Sequence, residues 1–307
     1  MQSLRVLEEL PSGYFVEESP RGILALHSSV ARSLHEAGYG PEREGDVIQS
    51  ELSGRRPLHE FRLGDDTFVV RRFSHGGLLR WLTGVRFLEP DRPFRELILS
   101  ESLRKAGIRT PRVVAARARM ASGYGWLLEV VSCRLEGTID LGHVLGRARR
   151  GEVELGAWRS LLRETGQLIS RLHKHGCLHA DLTPNNLLVN EQALTGEIPE
   201  LWVLDLDGSG ILDTLTDAQR RKNLRRMFRF VARRDRRFGK TISLSDYARF
   251  FRGYDPEGRR WKEDWRAVSA SHSRRSPFHA LGWLFERIFS SKTDPRDASP
   301  PQPASRG

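Results

Sequence analysis

The sequence predicts an α+β protein of two lobes, strand-rich in its first part and mostly helical in its second. Short apolar runs separated by turn residues recur through the first part of the chain. The second half turns to segments of helical periodicity, of which Trp158 to His175 is the clearest. Length and composition, 307 residues with 38% hydrophobic and 29% charged, fit one large or two modest globular domains. The expected organisation is an N-terminal extension (1–46) packed on a first lobe (47–131), a second lobe (132–289), and a disordered tail (290–307) rich in Ser, Pro and charge.

Taken in order, Leu58 to Leu63 and Thr67 to Phe73, joined by Gly64-Asp65-Asp66, read as a β-hairpin. A helix follows, opened by Asp91 as N-cap with Pro93 in its first turn and closed near Gly107. Thr110 to Arg117 and Gly125 to Val131 read as two further strands. Gly176 stops the amphipathic helix at its C-terminal end. The two cysteines, Cys133 and Cys177, are too few for a disulfide framework and have no zinc-ligand neighbours, so both read as small buried residues. No apolar run reaches the roughly 18 residues of a membrane span. The start, Met1-Gln2-Ser3-Leu4-Arg5, leads into acids rather than a signal-peptide core, which predicts a chain that stays in the cytoplasm.

Charge is unevenly placed. Fifty Lys+Arg against 39 Asp+Glu give a formal net charge of +11, and a strongly basic balance points to phosphates of nucleic acid, lipid or nucleotide. Arg220 to Lys240 holds eleven basic residues and one acid, so nearly all of the excess lies in that segment. Leu224, Phe228 and Val231 form an apolar stripe along it, with Arg225, Arg226, Arg229, Arg233 and Arg236 largely on other faces. Two readings stand side by side: a solvated helix packed by its stripe, or a surface for anionic lipid. No recognition motif or aromatic-basic platform accompanies the charge, which argues against nucleic acid.

Most of the chemistry lies in His179-Ala180-Asp181-Leu182-Thr183-Pro184-Asn185-Asn186, which precedes the apolar Leu187-Leu188-Val189. A carboxylate and an amide five residues apart suit a reaction in which one orients a hydroxyl and the other holds a metal ion on phosphates. Asp181 and Asn186 fit these roles; the plain alternative is an Asx-rich turn. Nineteen residues on, the apolar Leu201-Trp202-Val203-Leu204 ends in Asp205 and Asp207, which strand alternation would set on one side for a shared cation. In the first lobe, Phe68-Val69-Val70-Arg71-Arg72 puts Val69 and Arg71 on one face, which suits the roles that a resemblance to protein-kinase-like phosphotransferases implies for them, Val69 to roof adenine and Arg71 to reach phosphate. Glu96 shares a helix face with Leu99 and Leu103, an inward setting that favours a partnered carboxylate.

These stretches, in this order, resemble the protein-kinase-like phosphotransferases: the H-x-D-x-x-x-x-N loop, the metal aspartate Asp205 and the basic strand. More narrowly the chain resembles the lipopolysaccharide core kinases, and among them those acting on 3-deoxy-D-manno-octulosonic acid (Kdo). Leu10 to Tyr14, Val70 to Leu78, Phe94 to Leu97, Thr110 to Ala116, Leu172 to Leu182 and Asn223 to Arg226 carry that likeness. The resemblance implies a bilobal fold, ATP and Mg²⁺, and an acceptor hydroxyl on Kdo-lipid A. It also implies a peripheral enzyme on the cytoplasmic face of the inner membrane, whose anionic surface Arg220 to Lys240 would meet. By the same likeness Asn186, Asp205 and Asp207 would hold metal, Asp181 would act on the hydroxyl, and Arg71 with Glu96 would place phosphate. Glu129 and Val131, in Trp126 to Val131, would stand at the interlobe hinge beside adenine, and Gly54 would stand in a thin glycine loop.

Departures from protein kinases fit a sugar acceptor: Ala180 and Thr183 replace the loop arginine and lysine, and little chain separates Asp207 from the basic helix. Arg71 replaces lysine, as the resembled family tolerates. The alternatives are a kinase of protein Ser/Thr or of another small molecule, and a nucleotide-binding pseudokinase or membrane-surface scaffold. No protein partner is identifiable from the sequence.

Overall fold

In a computed structural model, residues 4–50, 58–74, 85–258 and 260–273 are described. The chain divides into two units, Met1–Glu136 with Val203–Ile211, and Gly137–Trp202 with Leu212–Gly307. The first is strand-rich and the second helical. Gly54 and the 290–307 tail lie outside the described residues.

The first unit is built on one antiparallel sheet. Its strands are β1 (Tyr14–Ser19), β2 (Gly22–His27), β3 (Ile48–Gln49), β4 (His59–Leu63), β5 (Asp66–Arg72), β6 (Val113–Met120) and β7 (Trp126–Cys133). They lie side by side in the order β1-β2-β6-β7-β5-β4-β3. The predicted hairpin is β4–β5, paired from His59↔Val70 to Leu63↔Asp66. Two strands within the 1–46 segment, β1 and β2, extend the sheet at its other edge.

Alternation along β2 shows how the sheet is covered. Ile23 and Ala25 enter one core with Phe94 and Leu97 of helix α2 (Arg92–Lys105). Leu24 and Leu26 enter a second with Leu34 of helix α1 (Ser28–Glu36). A register shift between Val113 and Ala115 puts neighbours Val114 and Ala115 into the same core.

In the second unit a small sheet, β8 (Thr138–Asp140), β10 (Leu187–Asn190) and β11 (Leu201–Val203), runs in the order β11-β10-β8; β9 is Cys177–Leu178. Its helices among the described residues are α3 (Leu141–Arg149), α4 (Leu155–Lys174), α5 (Asp217–Phe238), α6 (Leu244–Tyr254) and α7 (Trp261–Ser273), of which α4 covers the predicted amphipathic segment and α5 most of the basic one. Capping boxes start α5 at Thr216/Gln219 and α6 at Ser243/Asp246.

The stripe of α5 is buried at Leu224, Phe228 and Val231, and Phe228 stacks on Phe251 at 5.4 Å. Helices α4 and α6 meet backbone to backbone. A Cβ on Gly166 would sit 2.2 Å from the Phe250 carbonyl oxygen, and one on Gly253 would sit 2.1 Å from that of Arg163. Among the described residues no helix is long and apolar enough to cross a membrane. Cys177 is buried, as expected, and burial pushes its thiol up to about 12; Cys133 is only half-buried.

Candidate active site

The helical unit fixes the predicted loop from beneath. His179 is fully buried, and its Nδ1 accepts a hydrogen bond from the Asp181 backbone N–H at 3.0 Å. The imidazole therefore orders the loop rather than acting as a base. Asn223 of α5 accepts from the His179 N–H at 3.1 Å and donates to its carbonyl at 2.8 Å. The same Asn223 Oδ1 accepts from His173 Nε2 at 3.2 Å, and His173 Nδ1 accepts from the Tyr254 hydroxyl at 2.8 Å. This arrangement needs a neutral imidazole, and burial pushes His173 down to about 4 against the opposing bond to Asn223.

At the loop's other end the Asn186 Nδ2 donates to the Asp181 carbonyl at 2.8 Å within the short 3₁₀ turn Pro184–Asn186. With its donor end so used, the amide keeps Oδ1 as the atom suited to a cation. The Asp181 carboxylate is partly buried, and its Oδ1 accepts from Arg226 Nε at 2.7 Å.

In the strand-rich unit Arg71 of β5 pairs with Glu96 of α2, whose side chain is only 7% exposed, so this is not a solvated surface pair. Arg71 Nη1 also reaches Asp205 Oδ1 at 3.3 Å, and the guanidinium lies over Phe73 at 4.5 Å. Burial works against the Arg71 charge, yet the Glu96 and Asp205 carboxylates outweigh it and hold the group above its ordinary value. Val69 is half-buried on the same strand face.

The structure corrects three expectations. Asp205 and Asp207 do not share a side through strand alternation, because β11 ends at Val203. Asp205 instead adopts φ +53°, alone among the described non-glycine residues, a left-handed conformation that aspartate tolerates. Asp207 is bound by Arg92 through both oxygens, at 3.1 and 2.9 Å, and so does not fit a metal-ligand role in this arrangement.

Glu129 and Val131 do not stand at a hinge. They lie in the middle of β7, with strands β5 and β6 on either side. The Glu129 carboxylate is buried against Arg117 at 2.5 Å and the Tyr39 hydroxyl at 2.7 Å, far from any adenine-binding role. Three residues, Asn223 and Arg226 at the loop and Arg92 at Asp207, receive no individual role from sequence reasoning. Each meets a partner at least 44 residues away in the chain.

The donor chemistry fits Mg²⁺ at two positions. Asn186 presents an amide oxygen, and Asp205 a third-exposed carboxylate met on one oxygen by Arg71, both hard ligands of the kind Mg²⁺ takes beside phosphate and water.

The helical unit carries a loop with a carboxylate and an amide, and the strand-rich unit carries a strand arginine backed by a helix glutamate, each a feature expected of a kinase-type phosphotransferase. Residues 43–254 match the model of the lipopolysaccharide kinase (Kdo/WaaP) family. A protein of Stenotrophomonas maltophilia (strain R551-3) named 3-deoxy-D-manno-octulosonic acid kinase is 30% identical over 229 residues, 70% of this chain and 85% of that protein. One of the same name from Actinobacillus succinogenes is 29% identical over 190 residues, 61% of this chain and 74% of that one. Among solved structures, WaaP in complex with acyl carrier protein is similar over 80% of this chain and 90% of that chain, with 19% identity and a TM-score of 0.49. The chain belongs to the lipopolysaccharide kinase (Kdo/WaaP) family.

Proposed function

We propose that this chain transfers the γ-phosphoryl group of ATP to a hydroxyl of a Kdo sugar on lipid A. The observation that carries the reading is the loop in which Asn223, His179 and Asn186 fix the backbone around Asp181. The relatives named for this acceptor support its identity. In the reaction the acceptor oxygen bonds to phosphorus, the bond from phosphorus to the ADP oxygen breaks, and the hydroxyl proton passes to Asp181. Arg71, backed by Glu96, holds phosphate oxygens by its remaining N–H groups, and Val69 roofs the adenine. Mg²⁺ would supply charge neutralisation on the phosphates, with Asn186 of the helical unit and Asp205 of the strand-rich unit as its oxygen donors.

The exposed arginines of α5 (Arg229, Arg233 and Arg236) support attraction to an anionic membrane surface, each such charge contributing about 1 kcal/mol. On this reading the enzyme works at the cytoplasmic face of the inner membrane. The test is transfer of label from γ-labelled ATP to Kdo-lipid A. Transfer by the intact protein that is lost in Asp181→Ala supports the reading; no transfer, or equal transfer by the variant, sinks it.

A further inference from the structure

We propose that Arg226 is a positioning residue of the phosphoryl transfer, a guanidinium that sets the Asp181 carboxylate and supplies positive charge beside it. The proposal rests on the kinase reading for the reaction it serves and on the helical unit for its geometry. Arg226 Nε donates to Asp181 Oδ1 at 2.7 Å, which stops free rotation of the carboxylate.

Arg226 follows Asn223 by three residues on α5, so both side chains leave one face of the helix. Asn223 grips the buried end of the loop through the His179 N–H and carbonyl, and Arg226 grips its reactive end. One helical turn thus sets the carboxylate relative to the backbone that carries it. The loop itself brings no cation, since Ala180 and Thr183 flank Leu182 and the aspartate.

The charge has a chemical use. A carboxylate that must approach a hydroxyl while an anionic phosphoryl group is transferred meets repulsion of like sign. A guanidinium bound to one of its oxygens offsets that repulsion and leaves a defined oxygen edge for the hydroxyl. Stability does not account for the pair: Arg226 is 50% exposed, and exposed ion pairs contribute at most about 1 kcal/mol. Other basic residues of α5 are paired for structure, such as Arg221 with Asp264 at 2.8 Å. Arg226 instead meets the reacting acid.

The test compares the full chain with its Arg226→Gln, Arg226→Lys and Arg226→Ala variants, reading ATP turnover both with and without Kdo-lipid A. Expected in Arg226→Gln is a kcat loss of roughly 10- to 100-fold with the KM for ATP within about threefold and the melting temperature held. Arg226→Lys should recover part of the loss, and added methylguanidinium should raise the turnover of Arg226→Ala. Unchanged kcat, or a loss that neither lysine nor methylguanidinium relieves, overturns the proposal. Turnover on another acceptor but not on Kdo-lipid A overturns the acceptor while leaving Arg226 to be judged on that acceptor. No ATP turnover by the unsubstituted chain overturns both.

Discussion

Asn223 and His179 are joined as residues of neighbouring strands are joined, although one of them lies on a helix. The asparagine amide accepts from the His179 N–H and donates to its carbonyl, at 3.1 and 2.8 Å. A side chain thereby satisfies two buried backbone groups that secondary structure leaves open, and the Asp181 carboxylate sits two residues further on.

Replacing that amide by an apolar group of similar size leaves both backbone groups unsatisfied. Asn223→Leu is expected to lower stability by about 2–4 kcal/mol, from the cost of buried unpaired polar groups. Urea unfolding at constant m-value reads the loss. A cost below about 1 kcal/mol would mean that water or relaxation satisfies the loop instead.

Arg71 meets two carboxylates at once, which a single ammonium cannot do with the same geometry. Arg71→Lys is expected to keep measurable transfer at roughly a tenth of the original kcat/KM, and Arg71→Met to lose roughly 100-fold or more. Steady-state kinetics in ATP would show it. Equal losses in the two variants would assign the role to shape rather than charge.

His173 makes stability depend on pH. Folded, it titrates at about 4 against 6.5 for the free group, so it is neutral in both states above pH 6.5. As pH falls from about 6.5 to 4 the unfolded chain binds a proton that the folded chain refuses, and stability drops by at most about 3 kcal/mol. His173→Gln should flatten that part of the profile. Urea midpoints at pH 7 and pH 5 make the comparison, and an unchanged slope in the variant would place the dependence elsewhere.

The proposed membrane surface has its own readout. Joint replacement of Arg229, Arg233 and Arg236 by glutamine is expected to weaken binding to vesicles with anionic headgroups by roughly 100-fold at low salt, at about 1 kcal/mol per charge. Added salt should narrow the difference. Turnover of ATP without acceptor should persist. Equal vesicle binding by parent and variant would return the α5 arginines to the role of a solvated face.

What could be read from the residues was local. The β4–β5 hairpin follows from its Gly64-Asp65 turn, and α2 begins just after Asp91 with Pro93 in its first turn, although the Asp91 carboxylate makes no cap hydrogen bond and meets Arg95 instead. The Arg71–Glu96 pair comes from the kinase-like resemblance, with strand parity and the inward helix face of Glu96 as local support. Strand parity does not extend to Asp205 and Asp207, because the strand stops at Val203 and the backbone turns left-handed at Asp205. Glu129 suited a hinge by its place in the sequence. Its partner Tyr39 is 90 residues away, however, and no local pattern announces a buried glutamate that an arginine and a tyrosine will share. Asn223 and Arg226 escaped assignment for the same reason: a charge-dense helix gives no sign of which residues face the loop across 44 and 45 positions.

The crossing of α4 and α6 has a bearing on how this protein tolerates change. At Gly166 and Gly253 main chain meets main chain, so no rotamer can move aside to admit a methyl group. Helix α6 carries Tyr254, which bonds His173, which bonds the Asn223 that holds the loop. A lesion at either glycine would therefore travel to Asp181 along this chain of hydrogen bonds without touching substrate. Such positions are natural sources of conditional alleles, active when cool and silent when warm.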